Sequence, residues 1–390
     1  MVSVSEKWPP LGEFEIRGEW WVPESPETRV SGVLRYKAGQ RVKLELDKLI
    51  VDHMVETEPG IRCYSFQVVP VPIVLGEGRN GTAITMVNAY SLGFGNEITG
   101  SCLLIGRHFR AKESIRFSAA NLNFTHLEVW SQHSPTGVIP LQTEDQLGAP
   151  FRIELPYRRK KLLDFQLPCR DCRIEIYSGL ETSWHVYKSM SLKHGVLVYI
   201  EPSQPQNLAW YQQLFHDCVT LFSFFVGSRV YRTSTICSAV PDSDGDAPAD
   251  QVEMVDQSRT FTVSEIDHHD KMPLPLGAVD NLAPAVFDTW FSLAEDLGPV
   301  YRLLMETLPP NELALDTTFL RLAQAAEVFY RRVIKRTYVE PERFEGYLEA
   351  LVQALPADMP EDLRSRIERL PEARERLLPE ECCQAPATRS

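Results

Sequence analysis

The chain lacks any apolar run long enough to cross a bilayer as a helix: the longest, residues 68–75 and 221–226, fall far short of the roughly 20 residues required. No membrane contact is expected. The opening MVSVSEKWPP lacks the basic leader and apolar stretch of a secretory signal, which points to a cytoplasmic protein. Net positive charge is also lacking, since 53 acidic against 40 basic residues leave −13. A field of that sign excludes non-specific recruitment of nucleic acid and confines any such contact to a local patch. The eight cysteines, Cys63, Cys102, Cys169, Cys172, Cys218, Cys237, Cys382 and Cys383, are unevenly scattered and read as reduced thiols, not as a disulfide framework. Neither a GxSxG elbow nor a Walker loop is present. Histidine stops at His269, so the last third of the chain has no side chain that titrates near neutrality.

What is present is enough to fold. With 44% hydrophobic and 24% charged residues over 390 positions, the chain suits two or three globular domains. The first half alternates short β-branched and aromatic runs with turn residues: Glu13 to Val22, Arg29 to Tyr36, Val42 to Leu46, Val71 to Leu75, Ala83 to Val87, Leu103 to Ile105, Leu127 to Trp130, Arg173 to Tyr177 and Val196 to Ile200. With no helices between them, these predict an antiparallel, β-rich sandwich or barrel-like domain. From Asn207 the period changes, and Leu208, Tyr211, Leu214, Phe215, Cys218, Leu221, Phe222 and Phe225 predict one core-facing helix stopped by Gly227. After an acidic linker from Asp242 to Asp256, helical stripes begin at about residue 281. The fold class is therefore α+β multidomain, with a β-rich domain over 1–280, an all-α domain over 281–378 and an unpatterned tail over 379–390.

The motifs carry little chemistry. Gly76-Glu-Gly78-Arg-Asn-Gly81 has the dinucleotide-fingerprint spacing, but a β-type run follows it, so Asn80-Gly81 reads as a type I′ hairpin turn. Asp242, Asp244, Asp246, Asp250 and Glu253 fall on calcium-loop positions, but Ala247 replaces the turn glycine and a solvated acidic loop is expected. Cys169 and Cys172 have zinc-knuckle spacing without a second ligand pair, and Asp267, His268, His269 and Asp270 read as a polar loop. No metal or cofactor is expected. Arg158, Arg159, Lys160 and Lys161 form the sharpest basic patch. Trp20 and Trp21, adjacent in a strand, should face opposite ways, one in the core and one partly exposed. These six are the candidate ligand or sensor surface, with Trp130 and Trp184 as further contacts.

Gly18-Glu-Trp-Trp-Val-Pro23, Arg29-Val-Ser-Gly-Val-Leu34, Val42-Lys-Leu-Glu-Leu46, and Val74-Leu-Gly76 through Asn80-Gly81 to Ala83-Ile-Thr85 together resemble the N-terminal domain of ApeA-type bacterial anti-phage proteins. The apolar helix around Leu214 to Phe225 and the segment from Thr318 to Arg331 are similar to later parts of that family, the second to the start of its HEPN domain. The resemblance covers about Glu13 to Arg336. It implies an abortive-infection type of defence, a phage-derived trigger, pairing into a homodimer through the helices, and a metal-independent ribonuclease using Arg-x(4–6)-His. In such a motif the imidazole moves the 2′-hydroxyl proton and the guanidinium holds the phosphate. Here no histidine follows His269, so the chain lacks that motif and is expected to act on RNA only if a partner or downstream segment supplies it. Arg364, Arg366 and Arg369, with the Glu327–Arg331 pair, are the remaining RNA or phosphate candidates, but arginine stays protonated and cannot be the base. Either the chain is truncated or it has lost catalysis.

Overall fold

A computed structural model of the protein describes residues 11–50, 54–58, 61–64, 68–91, 96–133, 137–140, 151–154, 159–185, 188–241, 250–256, 263–266, 268–309, 313–334, 341–356 and 359–360. The chain opens with β1 (Glu13–Trp21), β2 (Val30–Lys37) and β3 (Val42–Leu46), followed by a small hairpin of β4 (Met54–Glu58) and β5 (Ile61–Tyr64). Next come β6 (Val69–Gly78), β7 (Ala83–Ser91), β8 (Glu97–Gly100), β9 (Cys102–Ile105) and β10 (Arg116–Phe124). A one-turn helix α1 (Leu127–Trp130) and a second hairpin, β11 (Gly137–Pro140) with β12 (Phe151–Glu154), precede β13 (Arg159–Leu167), β14 (Cys172–His185) and β15 (Ser189–Pro202). The short β16 (Gln206–Asn207) leads into α2 (Leu208–Val226), then β17 (Arg232–Ala239) and β18 (Gln251–Asp256). Among the described residues that follow, the longer elements are helices: α3 (Leu276–Val279), α4 (Ala283–Ser292), α5 (Ala294–Thr307), α6 (Leu315–Phe329) and α7 (Pro341–Gln353).

Apart from the hairpins β4–β5 and β11–β12, the strands form one continuous antiparallel sheet in the order β13-β14-β15-β10-β17-β18-β9-β7-β6-β1-β2-β3-β8, with β16 pairing beside β10. Strand β8 returns to pair with β7 as well as with β3, so the last six strands close into a barrel while the rest stay open. The expected β-rich domain followed by a helical region is what the chain builds. Period-two burial drives closure: in β3, Val42, Leu44 and Leu46 point inward and the residues between them are exposed. A barrel core of Ile16, Trp20, Leu34, Leu44, Val74 and Met86 results.

The open part of the sheet buries its own face under α2. Asn207 caps this helix, its side-chain oxygen accepting from the Trp210 N–H at 2.9 Å, and Gly227 ends it at a φ of 71°. All eight residues of the expected stripe are buried. Tyr211 meets Phe117 edge-on and Phe222 meets Phe124. Trp130 stacks on Phe225, and its indole N–H donates to the Leu274 carbonyl at 2.9 Å. Helix α4 closes the layer, with Phe287 packed against Phe165, Phe222 and Phe225.

Because Ala283, Phe287 and Phe291 belong to the same apolar core as the strands, the compact unit runs past residue 280 as far as Ala326; residues 327–390 form a second unit. Within the first, Leu315 and Phe319 of α6 are 87% and 72% exposed, so that helix does not bury its apolar side chains as α2 does. Among the described residues, no helix is long and apolar enough to cross a membrane.

Both indoles of β1 are buried, which corrects the expectation that one of Trp20 and Trp21 is partly exposed. Trp20 fills the barrel interior, whereas Trp21 points out of the barrel into the second core, opposite Leu75 and edge-on to His108. Alternation holds, but each face of β1 meets its own core. Trp130 is likewise fully buried and offers no exposed contact. The Trp184 side chain lies outside the described residues.

Candidate functional site

Strands β1, β2 and β6 approach closely because glycines replace side chains where Trp20 needs room. A Cβ on Gly76 would lie 2.2 Å from the Trp20 ring. The β6–β7 connection is a hairpin, as expected, but not of type I′. Gly81 N–H bonds to the Gly78 carbonyl and Gly78 N–H to the Thr82 carbonyl, while among these residues only Gly81 has positive φ. That is a type I turn followed by a left-handed glycine, a one-residue bulge. The Asn80 side chain accepts from the Thr82 N–H at 3.3 Å.

This bulge sets the register that builds the site. Gly18 faces Gly78 and Glu19 faces Glu77 across β1 and β6; one step further, the Arg79 N–H donates to the Arg17 carbonyl at 3.0 Å. Arg17-Gly18-Glu19 and Glu77-Gly78-Arg79 are mirror-image tripeptides, so antiparallel pairing sets Glu19 across from Glu77 and Arg17 across from Arg79. The outer face of the barrel carries a groove of about 460 Å³ at this point, lined by Arg17, Glu19, Arg29, Asp47, Glu77 and Arg79 with Ser31 and the intervening glycines.

The two like-charge pairs are treated differently. Arg29 lies between the carboxylates, 3.1 Å from Glu77 and 3.7 Å from Glu19, and its guanidinium stacks 4.2 Å over the Trp21 ring. The acidic pair thus has a built-in counter-ion on an aromatic base. Among the described residues, Arg17 and Arg79 have no carboxylate partner, and the Asp47 carboxylate has no cation. Like charges directly opposite on paired strands repel.

Two members of the expected basic patch, Arg159 and Lys161, are paired with carboxylates. Arg159 contacts Glu175 at 2.7 Å and stacks over Tyr177, and Lys161 contacts Asp164 at 2.5 Å. Arg173 pairs with Asp164, Glu175 and Glu201. The Asp164 carboxyl is held far below the usual carboxylate range by its hydrogen bonds from Arg173 and then Lys161. Lys160 is exposed on the same edge strand. Arg158, Arg364, Arg366 and Arg369 lie outside the described residues, as do Asp242, Asp244 and Asp246. Asp250 faces Arg107 at 3.7 Å, and Glu253 lies on β18. Glu327 and Arg331 form an exposed i,i+4 ion pair at 2.6 Å, a surface contact of small energetic weight.

His268, His269 and Asp270 are the three residues whose ligand atoms come within 4.8 Å of one another among the described residues. His268 Nδ1 and His269 Nε2 lie 3.0 Å and 3.3 Å from the two Asp270 oxygens. Sequence adjacency on an exposed turn accounts for that grouping. Cys169 is exposed and Cys172 is buried; burial pushes the Cys172 thiol up to about 12, which removes it as a nucleophile at neutral pH.

Residue-by-residue sequence reading missed the groove because its lining residues, taken singly, are ordinary strand positions. The mirrored tripeptides were the available signal, and they gain meaning only once β1 and β6 are known to pair through their glycines.

The model of the family described as ApeA N-terminal domain 1 matches residues 15–290. That span covers the barrel, the open sheet, α2 and most of α4. No curated protein and no solved structure matches the chain.

Proposed function

The chain belongs to the ApeA N-terminal domain 1 family, and from this we propose that it serves in anti-phage defence, its barrel-and-sheet unit registering infection and its helical region responding. The family match over residues 15–290 carries the reading. The helical region is taken as HEPN-like. Since no histidine follows His269, an Arg-x(4–6)-His motif has no place there, and the chain is not a ribonuclease by itself. Phosphodiester cleavage without metal needs a group that gives and takes a proton near neutrality, which arginine does not do.

The test has two parts. Cells expressing the chain, alone and with the coding segment that follows it, are challenged with a phage panel, and reduced plaquing is expected in at least one arm. Purified chain is then incubated with RNA in chelator, where intact RNA is expected. Unchanged plaquing in every arm counts against the defence role; cleavage in chelator counts against the non-catalytic assignment.

A second reading, a non-enzymatic binding module that dimerises through its helices, draws support from the exposed Leu315 and Phe319 of α6. Mass by light scattering distinguishes it: a monomer at micromolar concentration removes it.

A further inference from the structure

We propose that the barrel groove is a binding site for a phosphorylated small molecule carrying hydroxyl donors, a nucleotide being the type, with the phosphate held between Arg17 and Arg79 and the hydroxyls received by Asp47. The cross-strand pairing of Glu19 with Glu77 is closed by Arg29. The equivalent guanidinium pair, joined through Arg79 N–H to Arg17 carbonyl, is left without a counter-ion among the described residues. Among the described residues the fold supplies a cation to one repelling pair and no anion to the other, so the second pair suits an anion of external origin.

The chemistry of that anion follows from the donors. Two guanidinium groups present planar forks of N–H donors that match the oxygens of a phosphate. Asp47 supplies an acceptor-only group suited to hydroxyls, and its N–H, bonded to the Ser31 carbonyl at 2.9 Å, holds this residue, the first past β3, beside β2. The groove volume of about 460 Å³ lies within the ordinary range for small-ligand sites, roughly 300–1,000 Å³. Macromolecular polyanions fit less well, because Glu19, Asp47 and Glu77 line the same groove and would repel a long phosphate chain. The inference does not depend on the defence role.

Calorimetry and thermal melting of the full chain test it with inorganic phosphate, AMP, ATP and adenosine as probes. The nucleotides are expected to bind and raise the melting temperature, phosphate to bind more weakly, and adenosine not to bind. Arg17→Gln and Arg79→Gln are each expected to weaken nucleotide binding about 10- to 100-fold, the loss of a charge-assisted contact. Without ligand, both variants should melt at or above the wild-type temperature in low salt, since repulsion is relieved, whereas Arg29→Gln should melt lower. Asp47→Asn should weaken nucleotide and leave phosphate unchanged. Absence of nucleotide binding overturns the proposal, as does equal binding by wild type and both arginine variants. Binding of phosphate as tight as that of nucleotide overturns the part assigned to Asp47.

Discussion

The six-membered ring of Trp20 occupies the space into which a Cβ on Gly76 would project, 2.2 Å from both Cε3 and Cζ3. The two residues sit opposite each other in the β1–β6 pairing, so a side chain at one position excludes the indole at the other. Gly76→Ala is expected to destabilise the protein by at least about 1–3 kcal/mol through overpacking. The same change in a Trp20→Leu background should cost less, because the ring is gone. Urea melts of the four proteins in this cycle check the prediction, and strict additivity would refute it.

Arg232 holds both oxygens of Asp256 at 2.5 Å and lies over the Phe215 ring. With the two side chains 14% and 18% exposed, little water can replace a lost partner. Asp256→Ala should therefore cost about 3–5 kcal/mol, the usual result of stranding one charge of a buried pair. Denaturant midpoints of Asp256→Ala and the double variant Arg232→Met/Asp256→Ala provide the measurement, with the double variant expected to recover part of the loss.

Thiol chemistry should divide sharply. Cys102, Cys172, Cys218 and Cys237 are buried and Cys169 is exposed. Burial pushes the first four thiols well up, which keeps them as unreactive thiols at mildly alkaline pH. Peptide mapping after brief maleimide treatment of native protein is expected to find Cys169 modified and those four intact. Early labelling of Cys218 would contradict the packing of α2.

Acid should weaken the fold through its histidines. Burial lowers the affinity of His126 and His194 for a proton, and the Ser178 hydroxyl lies 2.9 Å from His194 Nε2. The unfolded chain accepts protons at these positions near pH 6.5, where the folded chain still resists, so it binds more protons in that window and stability rises with pH. Lowering pH from about 7.5 to about 5.5 should thus reduce the melting temperature. Glu128 and Asp217, shifted upward by burial, oppose this at more acid pH, because the folded state then binds the extra proton. His194→Gln should flatten the slope between those two pH values; an unchanged slope would exclude His194 as a source.

The β-rich class, the α2 stripe and the β6–β7 hairpin were readable because each rests on local periodicity or turn chemistry. The eight stripe residues of α2 announce a single buried face, and Gly227 announces its end. What the sequence hid is pairing between distant segments. Alternation in β1 sorts Trp20 from Trp21, but solvent and a second core look alike from one strand, so the burial of Trp21 could not be read. The basic run at Arg159–Lys161 looked free because Glu175, the partner of Arg159, comes from the neighbouring strand β14, and Asp164, three residues beyond Lys161 on β13, reaches it across the irregularity between Lys161 and Leu163. The Arg17 and Arg79 pairing was hidden for the same reason, since 62 positions separate residues that one hydrogen bond joins.

Strand β7 bonds to β6 and β8 in the barrel and to β9 in the open sheet. Its backbone is thus common property of both cores, and no cut between the two leaves either with a complete set of neighbours. Dissection into separately expressed halves should yield insoluble fragments, and slow amide exchange along Ile84–Val87 should report the opening of both cores as one event.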